Sequence, residues 1–405
     1  MSVSIEKALE LIYINTRPKS IKIIPIEEAL GSILAQNITA THNLPPYDNS
    51  AMDGYAVKVV DSGRNVKVSH TIFAGDDSKE ELHETNAIKI MTGARIPFGT
   101  QCIVPIEETT ATKDGVELPK NLILSKHIRL SGEDIKRGQI LLHKGDKIDA
   151  HQITLLASQG ISHIKVYKKP RVALFASGNE LKMHFEEVKE YQLYNTNTPT
   201  LLSRAVELGC DVEFIGTAKD TLEDIKAHIQ SALECDFVIT SGGVSVGDAD
   251  FTKEAFGFFG YDILFDKVNI KPGKPTTFGK IGETLVLNLP GNPLAAAINF
   301  EIFGQSIIHA LSGATAKFIK PIHAKMKHDY KLKAGRRAIV PGVFDGEYFV
   351  VCEHFAPGMV SPLAYANSYI IISEECGFLE AEKEVKIIST KFSFTSSHLV
   401  SLATS

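Results

Sequence analysis

The sequence lacks the features that mark a nucleic-acid-binding or membrane-spanning protein. Its 43 Lys and Arg are outnumbered by 48 Asp and Glu, and the net charge is −5. Without a sustained basic run, nucleic acid is not expected as the main partner, because binding to the phosphate backbone needs a basic face. No apolar run approaches the roughly 20 residues of a membrane span, and the N-terminus lacks the basic-then-apolar order of a signal peptide. We therefore predict a cytoplasmic protein with no nucleic-acid and no membrane partner.

Cysteines are also few. They are scattered, without a CxxC motif or paired spacing, which is typical of reduced core residues and not of metal ligands. The five are Cys102, Cys210, Cys235, Cys352 and Cys376. What the sequence does have is length: 405 residues, of which 44% are hydrophobic, suffice for roughly two to four domains with cores of their own.

Changes of pattern along the chain predict an interrupted first domain. Apolar residues at helical spacing predict two amphipathic helices between residues 4 and 34, and the same spacing returns at 150–160. Between them, short β runs such as 87–91 and 102–106 alternate with Gly, Pro and Asp turns. We therefore predict a helical or linker domain of residues 1–42 plus 140–168, with an inserted β domain of residues 43–139.

Strands alternate with helices after residue 170, a pattern typical of a parallel sheet covered by helices on both faces. The predicted fold class is multi-domain α/β, with a parallel-sheet α/β domain of residues 169–318 and a C-terminal, barrel-like β domain of residues 319–405. The α/β strands are predicted at 171–176, 212–216, 235–239 and 284–288, and the helices around 201–208, after the capping residue Thr221 and at 294–311.

Several loops at the predicted carboxyl ends of these strands carry ligand-binding residue types, and this is where open α/β sheets bind ligands. The run TSGGVSVGDAD at 240–250 combines glycines with acids, which suits a phosphorylated ligand with a metal, although an ordinary βα turn explains one such loop equally well. KPGK at 271–274 suits a pyrophosphate or oxyanion, or else a solvated turn. LPGNP at 289–293 starts a helix whose free N–H groups favour an anion, or simply starts a helix.

Acidic residues form two groups. Glu180, Asp220 and Asp250, together with Asp248, follow predicted strands of the α/β domain and could gather around one cation such as Mg²⁺. In the β domain, PPYDNSAMDGYAV at 45–57 centres on Asp53, where an Asp-Gly hairpin turn is the simpler explanation. Met91-Thr-Gly-Ala94 and Gly132-Glu-Asp-Ile135 add Thr92 and Asp134 to the same domain.

These motifs occur together, in this order, in one known family. From about residue 5 to 398 the chain resembles the MoeA family of molybdopterin molybdenumtransferases, which includes the C-terminal domain of gephyrin. The stretches that carry the resemblance are PPYDNSAMDGYAV, KIMTGARIP, SGEDI, RVALFASGNEL, LYNTNTPTL, ITSGGVSVGDADF, VNIKPGKPTTFG and LPGNPLAAAINF.

The resemblance implies a function and an assembly. It implies a four-domain homodimer that inserts molybdate into adenylylated molybdopterin and releases AMP, assisted by Mg²⁺. The α/β domain would be molybdopterin-binding, and the cleft would lie between that domain of one subunit and the β domains of the other. The molybdopterin adenylyltransferase and recipient molybdoenzymes would be further partners.

The resemblance also assigns residues by motif. Catalytic roles are implied for Asp53, Thr92, Asp134, Glu180, Asp220, Asp250, Lys267 and Lys271, with Pro290 and Pro293 beside them; only Lys267 lies outside the loops that pattern alone indicates. We predict that Glu180, Asp220 and Asp250 hold the metal and that Lys271 and Lys274 offset phosphate charge. The pterin nucleotide and oxyanion would be bound by Ser241, Gly242, Gly243, Ser245, Gly247, Lys274, Pro290, Gly291, Asn292, Pro293, Arg336 and Ser361.

The sequence departs from the family pattern near these residues. Asn179 stands where the family commonly has Asp, so one carboxylate is lost beside the predicted metal site. Pro341 replaces the second arginine of a GR-x-x-x-x-RG pattern, and Pro357 replaces a serine of a stretch resembling QGSGxLSS; both family residues are thought to help hold the oxyanion. Arg336 or Arg337 could supply the charge instead.

Other functions therefore remain open. The chain could be a non-catalytic pterin-nucleotide carrier or scaffold, or a transferase that prefers tungstate. It could also catalyse the related adenylyltransferase reaction, against which the long β-domain motifs argue. Release of AMP from adenylylated molybdopterin separates a transferase from a carrier.

Overall fold

The computed structural model describes residues 2–77, 79–242 and 251–391. Helix α1 (Ile5–Asn15) begins after Ser4, whose Oγ accepts a hydrogen bond from the Lys7 N–H at 3.2 Å. Its apolar face is buried, as its spacing predicts, and it lies in the core cluster of the α/β domain.

The prediction of a second helix before residue 34 is wrong. Strand β1 (Ile21–Pro25) and a single 3₁₀ turn at Ile26–Glu28 occupy the segment, followed by β2 (Ile38–Thr39). The spacing that predicts this helix runs over 26–33, where Gly31 has φ +76° and Ile33 and Leu34 form β-bridges with Lys147 and Val166. The segment just before it, β1, pairs with a distant strand, His163–Tyr167.

Residues 49–129 form the β region, built on a six-stranded sheet. In chain order its strands are β3 (Asn49–Ser50), β4 (Gly54–Val57), β5 (Asn65–Ile72), β6 (Asn86–Ile90), β7 (Cys102–Pro105), β8 (Thr110–Ala111), β9 (Val116–Glu117) and β10 (Ile128–Arg129). The sheet order is β7-β4-β6-β5-β9-β8, while β3 pairs with β10. The β runs predicted at 87–91 and 102–106 are confirmed as β6 and β7.

The chain then returns to the N-terminal segment. Strand β11 (Ile140–Leu142) pairs with β2, and β12 (His163–Tyr167) pairs with β1. Helix α2 (Ala150–Ser158) lies where predicted and starts with a capping box in which Asp149 and Gln152 exchange hydrogen bonds. Residues from both sides of the β region, including Ile24, Leu34 and Leu156, share one buried cluster.

The α/β domain is a mixed sheet of order β16-β13-β17-β21-β20-β18 with helices on both faces. Its first four strands are parallel, but β20 and β18 pair antiparallel, which corrects the expectation of a parallel sheet. The reason is a tight turn at Gly282, with φ +57°, which folds β20 directly back onto β21. The elements are β13 (Arg171–Ser177), β14 (Leu181–Lys182), β15 (Leu193–Tyr194), α3 (Asn197–Glu207), β16 (Asp211–Ala218), α4 (Leu222–Ala232), β17 (Phe237–Ser241), α5 (Phe251–Phe258), β18 (Asp262–Phe265), β19 (Ile270–Lys271), β20 (Thr277–Ile281), β21 (Thr284–Leu289), α6 (Pro293–Asn299) and α7 (Gln305–Leu311).

A central helix runs through this domain. Helices α6 and α7 are joined by a π-helical turn at Phe300–Gly304, giving a continuous helix over Pro293–Leu311 of 19 residues with a mean hydropathy of 1.3. By length and composition this helix could cross a membrane, so the expectation that no apolar run approaches that length is wrong. However, 89% of the most apolar 18-residue stretch of this helix is buried inside the protein, where the helix packs against the sheet as a core helix.

The C-terminal region is a closed five-stranded barrel of order β24-β25-β22-β28-β26, in which β26 pairs back to β24. Its elements are β22 (Ile322–Met326), β23 (Tyr330–Lys331), β24 (Arg337–Phe344), β25 (Tyr348–Val351), α8 (Ser361–Tyr365), β26 (Ser368–Ile372), β27 (Phe378–Leu379) and β28 (Glu384–Ser389). Strand β19 joins the barrel by pairing with β24, which connects the KPGK loop to this domain.

The cysteines agree with the prediction in part. All five are free, and Cys102, Cys210 and Cys235 are buried. Cys352 and Cys376 are only partly buried, so they are not core residues.

Candidate active site

Three strand ends converge at one edge of the α/β sheet. The loop after β17 begins with Gly242, which has φ +96° and whose N–H donates to the Leu289 carbonyl at 3.3 Å. A Cβ on Gly242 would lie 2.5 Å from the Ser177 carbonyl oxygen at the end of β13. A Cβ on Gly291 would lie 3.6 Å from the Gly242 Cα. The backbones therefore touch, and only glycine fits at position 242.

Asn197, the first residue of α3, joins two of these loops. Its Nδ2 donates to Ser241 Oγ at 2.7 Å and to the Gly291 carbonyl oxygen at 2.7 Å. Sequence reasoning missed this residue, although it lies inside the LYNTNTPTL stretch that carries part of the family resemblance.

The acidic residues of the α/β domain lie on neighbouring loops. Glu180 follows β13 and Asp220 follows β16, and these two strands are adjacent and parallel. Asn179 connects them: its backbone N–H donates to Asp220 Oδ2 at 3.1 Å, and its Oδ1 accepts from the Asp220 N–H at 3.2 Å. Carboxylate and amide oxygens at one place suit Mg²⁺, which prefers oxygen ligands.

The metal site is not complete within the part of the chain that the structure describes. Over residues 2–77, 79–242 and 251–391, no group of three or more His, Cys, Asp or Glu side chains is placed to hold a metal. The predicted third ligand, Asp250, lies outside these residues. The same holds for Gly243, Ser245 and Gly247.

The KPGK loop packs on the central helix and exposes its lysines. Gly273 has φ +103°, and a Cβ there would overlap the side chain of Asn299, a fully buried residue of α6. Lys271 and Lys274 are exposed and Lys267 is partly buried. None of the three forms an ion pair with another described residue. The strand after the loop, β20, pairs its first residue, Thr277, with Asn288 near the end of β21, so the loop presents cationic charge beside that strand end.

The start of the central helix differs from the expectation of free N–H groups. Asn292 is the N-cap and Pro293 the first helical residue, as predicted. The Leu294 N–H is not free, because it donates to the Pro357 carbonyl of the C-terminal domain at 3.0 Å. One donor that could have met an anion is therefore used to hold the C-terminal domain against the helix.

The two neighbouring arginines of the C-terminal domain have different environments. Arg337 pairs with Glu6 of α1 and, at 3.5 Å, with Glu374. Arg336 is exposed, as is Ser361 at the start of α8, whereas Pro341 is buried in a barrel strand. Of the two arginines named as alternatives for oxyanion binding, Arg336 is thus the one without an ion pair among the described residues.

In the β region Asp53 and Thr92 are in direct contact. Asp53 Oδ1 accepts from the Thr92 N–H at 2.7 Å and from Thr92 Oγ1 at 2.8 Å. The hydrogen bond from the Thr92 backbone N–H is the largest cause of the lowered pKa of Asp53, and the bond from the Thr92 hydroxyl is the second, because both favour the carboxylate. Asp134 lies on a loop whose Gly132 N–H donates to the Pro45 carbonyl at 2.9 Å, so it borders the same PPYD segment.

Comparisons with known proteins identify the family. Residues 3–160 match the model of the MoeA N-terminal region (domain I and II), 173–310 that of a probable molybdopterin binding domain, and 323–390 that of the MoeA C-terminal region (domain IV). The chain belongs to the MoeA family. This confirms the family predicted from the motifs, and the multi-domain α/β class with a C-terminal barrel is confirmed as well.

Individual MoeA relatives are similar over nearly the whole chain. The molybdopterin molybdenumtransferase of Haemophilus influenzae is 35% identical over 384 residues, covering 91% of this chain and 94% of that protein. The enzyme of the same name from Staphylococcus aureus is 33% identical, with 91% of each chain covered. The crystal structure of the molybdopterin biosynthesis MoeA protein from Pyrococcus horikosii superimposes with a TM-score of 0.85 at 30% identity, covering 97% of this chain and 100% of that one.

In this MoeA chain the structure brings together part of the predicted site. Ser241, Gly242, Pro290, Gly291, Asn292 and Pro293 meet at the strand ends, and Asp53 meets Thr92. The hydrogen bonds between Asp53 and Thr92 lie within the β region. They are separate from the hydrogen bonds that join the α/β loops. The roles assigned to these residues stay predictions.

Proposed function

We propose that this MoeA protein is a molybdopterin molybdenumtransferase of molybdenum cofactor biosynthesis that acts on adenylylated molybdopterin, inserts molybdate and releases AMP. The observation that carries the proposal is the convergence of Ser241–Gly242 with the 289–293 loop, next to exposed lysines of the KPGK loop. Glycine backbone that a ligand can approach closely and nearby cations are features of sites that bind phosphate and oxyanions.

The chain's own residues supply binding and positioning. Ser241, Gly242 and the helix start would hold the phosphates of the nucleotide, and Lys271 and Lys274 would offset their charge. We assign Mg²⁺ to Glu180 and Asp220 together with Asp250; when bound, it would neutralise phosphate charge in the transition state. Catalysis would then be mainly electrostatic, because phosphoryl and oxyanion chemistry requires little covalent help from the protein.

A carrier function is the second candidate. The C-terminal domain places an acceptor, the Pro357 carbonyl, on the Leu294 N–H, and Arg337 is already paired with acids. This arrangement favours a protein that binds the pterin nucleotide without completing the reaction.

One experiment separates these functions. Purified protein is given adenylylated molybdopterin, Mg²⁺ and either molybdate or tungstate, and AMP and metal-loaded pterin are quantified. A transferase releases AMP in proportion to metal-loaded pterin, and the two oxyanions reveal the preferred ion. Bound pterin nucleotide without AMP release would support the carrier instead, and consumption of ATP with unmodified molybdopterin would support an adenylyltransferase.

The proposed site also draws on two subunits of a cytoplasmic homodimer. The Asp53–Thr92 pair belongs to the β region, whereas the acids and lysines of the α/β domain lie on another domain. Neither Asp53→Asn nor Asp220→Asn homodimers should release AMP, while mixed dimers should recover up to about half of the activity if each site combines two chains. Verified mixed dimers that remain inactive would place the whole site within one chain.

A further inference from the structure

We infer that Asn197 is a positioning residue: its side-chain amide holds the end of β17, at Ser241, and the loop after β21, at Gly291, in one fixed arrangement. The inference rests on the proposed function, because that proposal assigns Ser241 and the 289–293 loop to substrate binding.

The geometry uses both protons of a single amide. Asn197 Nδ2 lies 2.7 Å from Ser241 Oγ and 2.7 Å from the Gly291 carbonyl oxygen. Ser241 is buried, and its hydroxyl in turn donates to the Pro290 carbonyl at 3.4 Å. A chain of hydrogen bonds therefore runs from α3 through the end of β17 into the peptide before Gly291.

The residues on either side of Asn197 are anchored to each other. Asn195 Oδ1 accepts from the Thr198 N–H at 3.1 Å, and Asn195 Nδ2 donates to Thr198 Oγ1 at 2.8 Å. Both residues are buried, with exposures of 3% and 0%. The start of α3, from which the Asn197 side chain extends, is thus anchored on both sides.

The amide adds to contacts that already join these segments, namely the β17–β21 ladder, which runs to Ser241 and Leu289, and the Thr240 Oγ1–Asn288 Oδ1 bond at 2.7 Å. Beyond the ladder the connection is weaker. The backbone bond between the Gly242 N–H and the Leu289 carbonyl is long, at 3.3 Å, and Gly291 has no side chain to pack. Asn197 and Pro293 also line a cavity of about 590 Å³ at this edge of the domain. Without the amide, Gly291 loses its bond to α3 and the Ser241 hydroxyl loses a donor, so the peptide before the helix start can shift. A displacement of about 1 Å can lower a rate by as much as 100-fold.

The first test measures the connection itself and does not depend on activity. Hydrogen exchange followed by mass spectrometry compares the parent with Asn197→Ala, with the isosteric Asn197→Asp and with a control, Ser203→Ala, at an exposed position of the same helix. An ionised carboxylate cannot donate to the Gly291 carbonyl, so both Asn197 variants should exchange about 10-fold faster in peptides covering 237–242 and 288–294. Parental exchange in these peptides in a folded Asn197→Asp protein would overturn the inference.

The second test measures the consequence for the reaction. Asn197→Ala should lower kcat/KM for adenylylated molybdopterin by about 10- to 100-fold, whereas Ser203→Ala should stay within about twofold. If Asn197 acts through Ser241, the kcat/KM of the Asn197→Ala/Ser241→Ala double variant should be close to that of the less active single variant. The positioning role would be refuted if the kcat/KM losses of the two single variants multiplied in the double variant. An unchanged kcat/KM in Asn197→Ala would refute it as well. A parent that releases no AMP would refute the proposed function, while hydrogen exchange would still decide whether the amide connects the loops.

Discussion

Removing the cation of a buried ion pair should strongly destabilise the α/β domain. Arg204 of α3 binds Glu301 of the π-helical turn through two hydrogen bonds, Nε to Oε1 at 2.7 Å and Nη2 to Oε2 at 3.0 Å. The Glu301 side chain is only 7% exposed and that of Arg204 is 20% exposed. Arg204→Met leaves the carboxylate buried without its cationic partner, which typically costs about 3–5 kcal/mol.

The expected loss of stability in Arg204→Met depends on pH in a defined direction. Burial raises the pKa of Glu301, and Arg204 opposes that rise, so the Arg204→Met variant should have a still higher pKa at Glu301. An acid with a raised pKa binds its proton more tightly in the folded state than in the unfolded chain. Stability of the variant relative to the parent should therefore fall as pH rises above about 4.3, the usual Glu value, by at most about 1.4 kcal/mol per pH unit.

Scanning calorimetry is the suitable assay, because the chain contains no Trp to report unfolding by fluorescence. A loss of this size corresponds to roughly 6–20 °C in the melting temperature of a domain of 150–250 residues. The double variant Arg204→Met/Glu301→Leu should recover most of the loss, since removing both charges also removes the unpaired one. As a control, Arg171→Met breaks an exposed pair with Glu213 and should cost about 0–1 kcal/mol. A single Arg204→Met variant that melts within about 2 °C of the parent at pH 8 would refute the reasoning.

Three further predictions concern the site. Thr92→Val removes the hydroxyl bond but keeps the backbone bond to Asp53, so the lowered pKa of Asp53 should move partway toward its usual value; a carboxyl NMR titration with unchanged pKa would contradict this. Asn179→Asp keeps the acceptor and adds a negative charge, so half-maximal AMP release should need about 10-fold less Mg²⁺, and an unaltered requirement would separate this position from the metal. Gly242→Ala places a Cβ 2.5 Å from a carbonyl oxygen at φ +96°, so it should cost about 1–3 kcal/mol and most AMP release; parental melting and turnover together would argue against a tight loop.

The sequence predicted those helix starts that are determined by neighbouring residues along the chain. Thr221 precedes α4, and its hydroxyl accepts from the Asp224 N–H at 3.3 Å, which is a cap readable from the sequence alone. Pro293 likewise starts the central helix where expected. The segment at 26–33 fails this test although its apolar residues have helical spacing. After the 3₁₀ turn at Ile26–Glu28, Gly31 has φ +76°, and Ile33 and Leu34 form β-bridges with Lys147 and Val166.

Contacts between distant segments are the part that no local pattern could supply. Asn197 reaches Ser241 and Gly291, which are 44 and 94 residues further along the chain. Neither periodicity nor composition specifies such a pair, so the residue was visible only as part of a family stretch. The antiparallel edge of the α/β sheet was missed for a different reason. Strands β20 and β21 are consecutive and joined by a tight turn at Gly282, but no strand was predicted at 277–281.

The contact at the helix start also decides how charge must be arranged in the proposed site. A carbonyl is an acceptor, so Pro357 can stabilise the Leu294 N–H but cannot bind an oxyanion. Because Pro341 is buried in the barrel and Arg337 is paired with Glu6 and Glu374, the C-terminal domain has only Arg336 among these positions to offer an anion. Further positive charge near the strand ends comes from the lysines of the KPGK loop and from Lys219, which directly follows β16. If the chain turns over molybdate, the α/β domain must therefore supply most of the electrostatic attraction, and the C-terminal domain mainly holds the central helix in place.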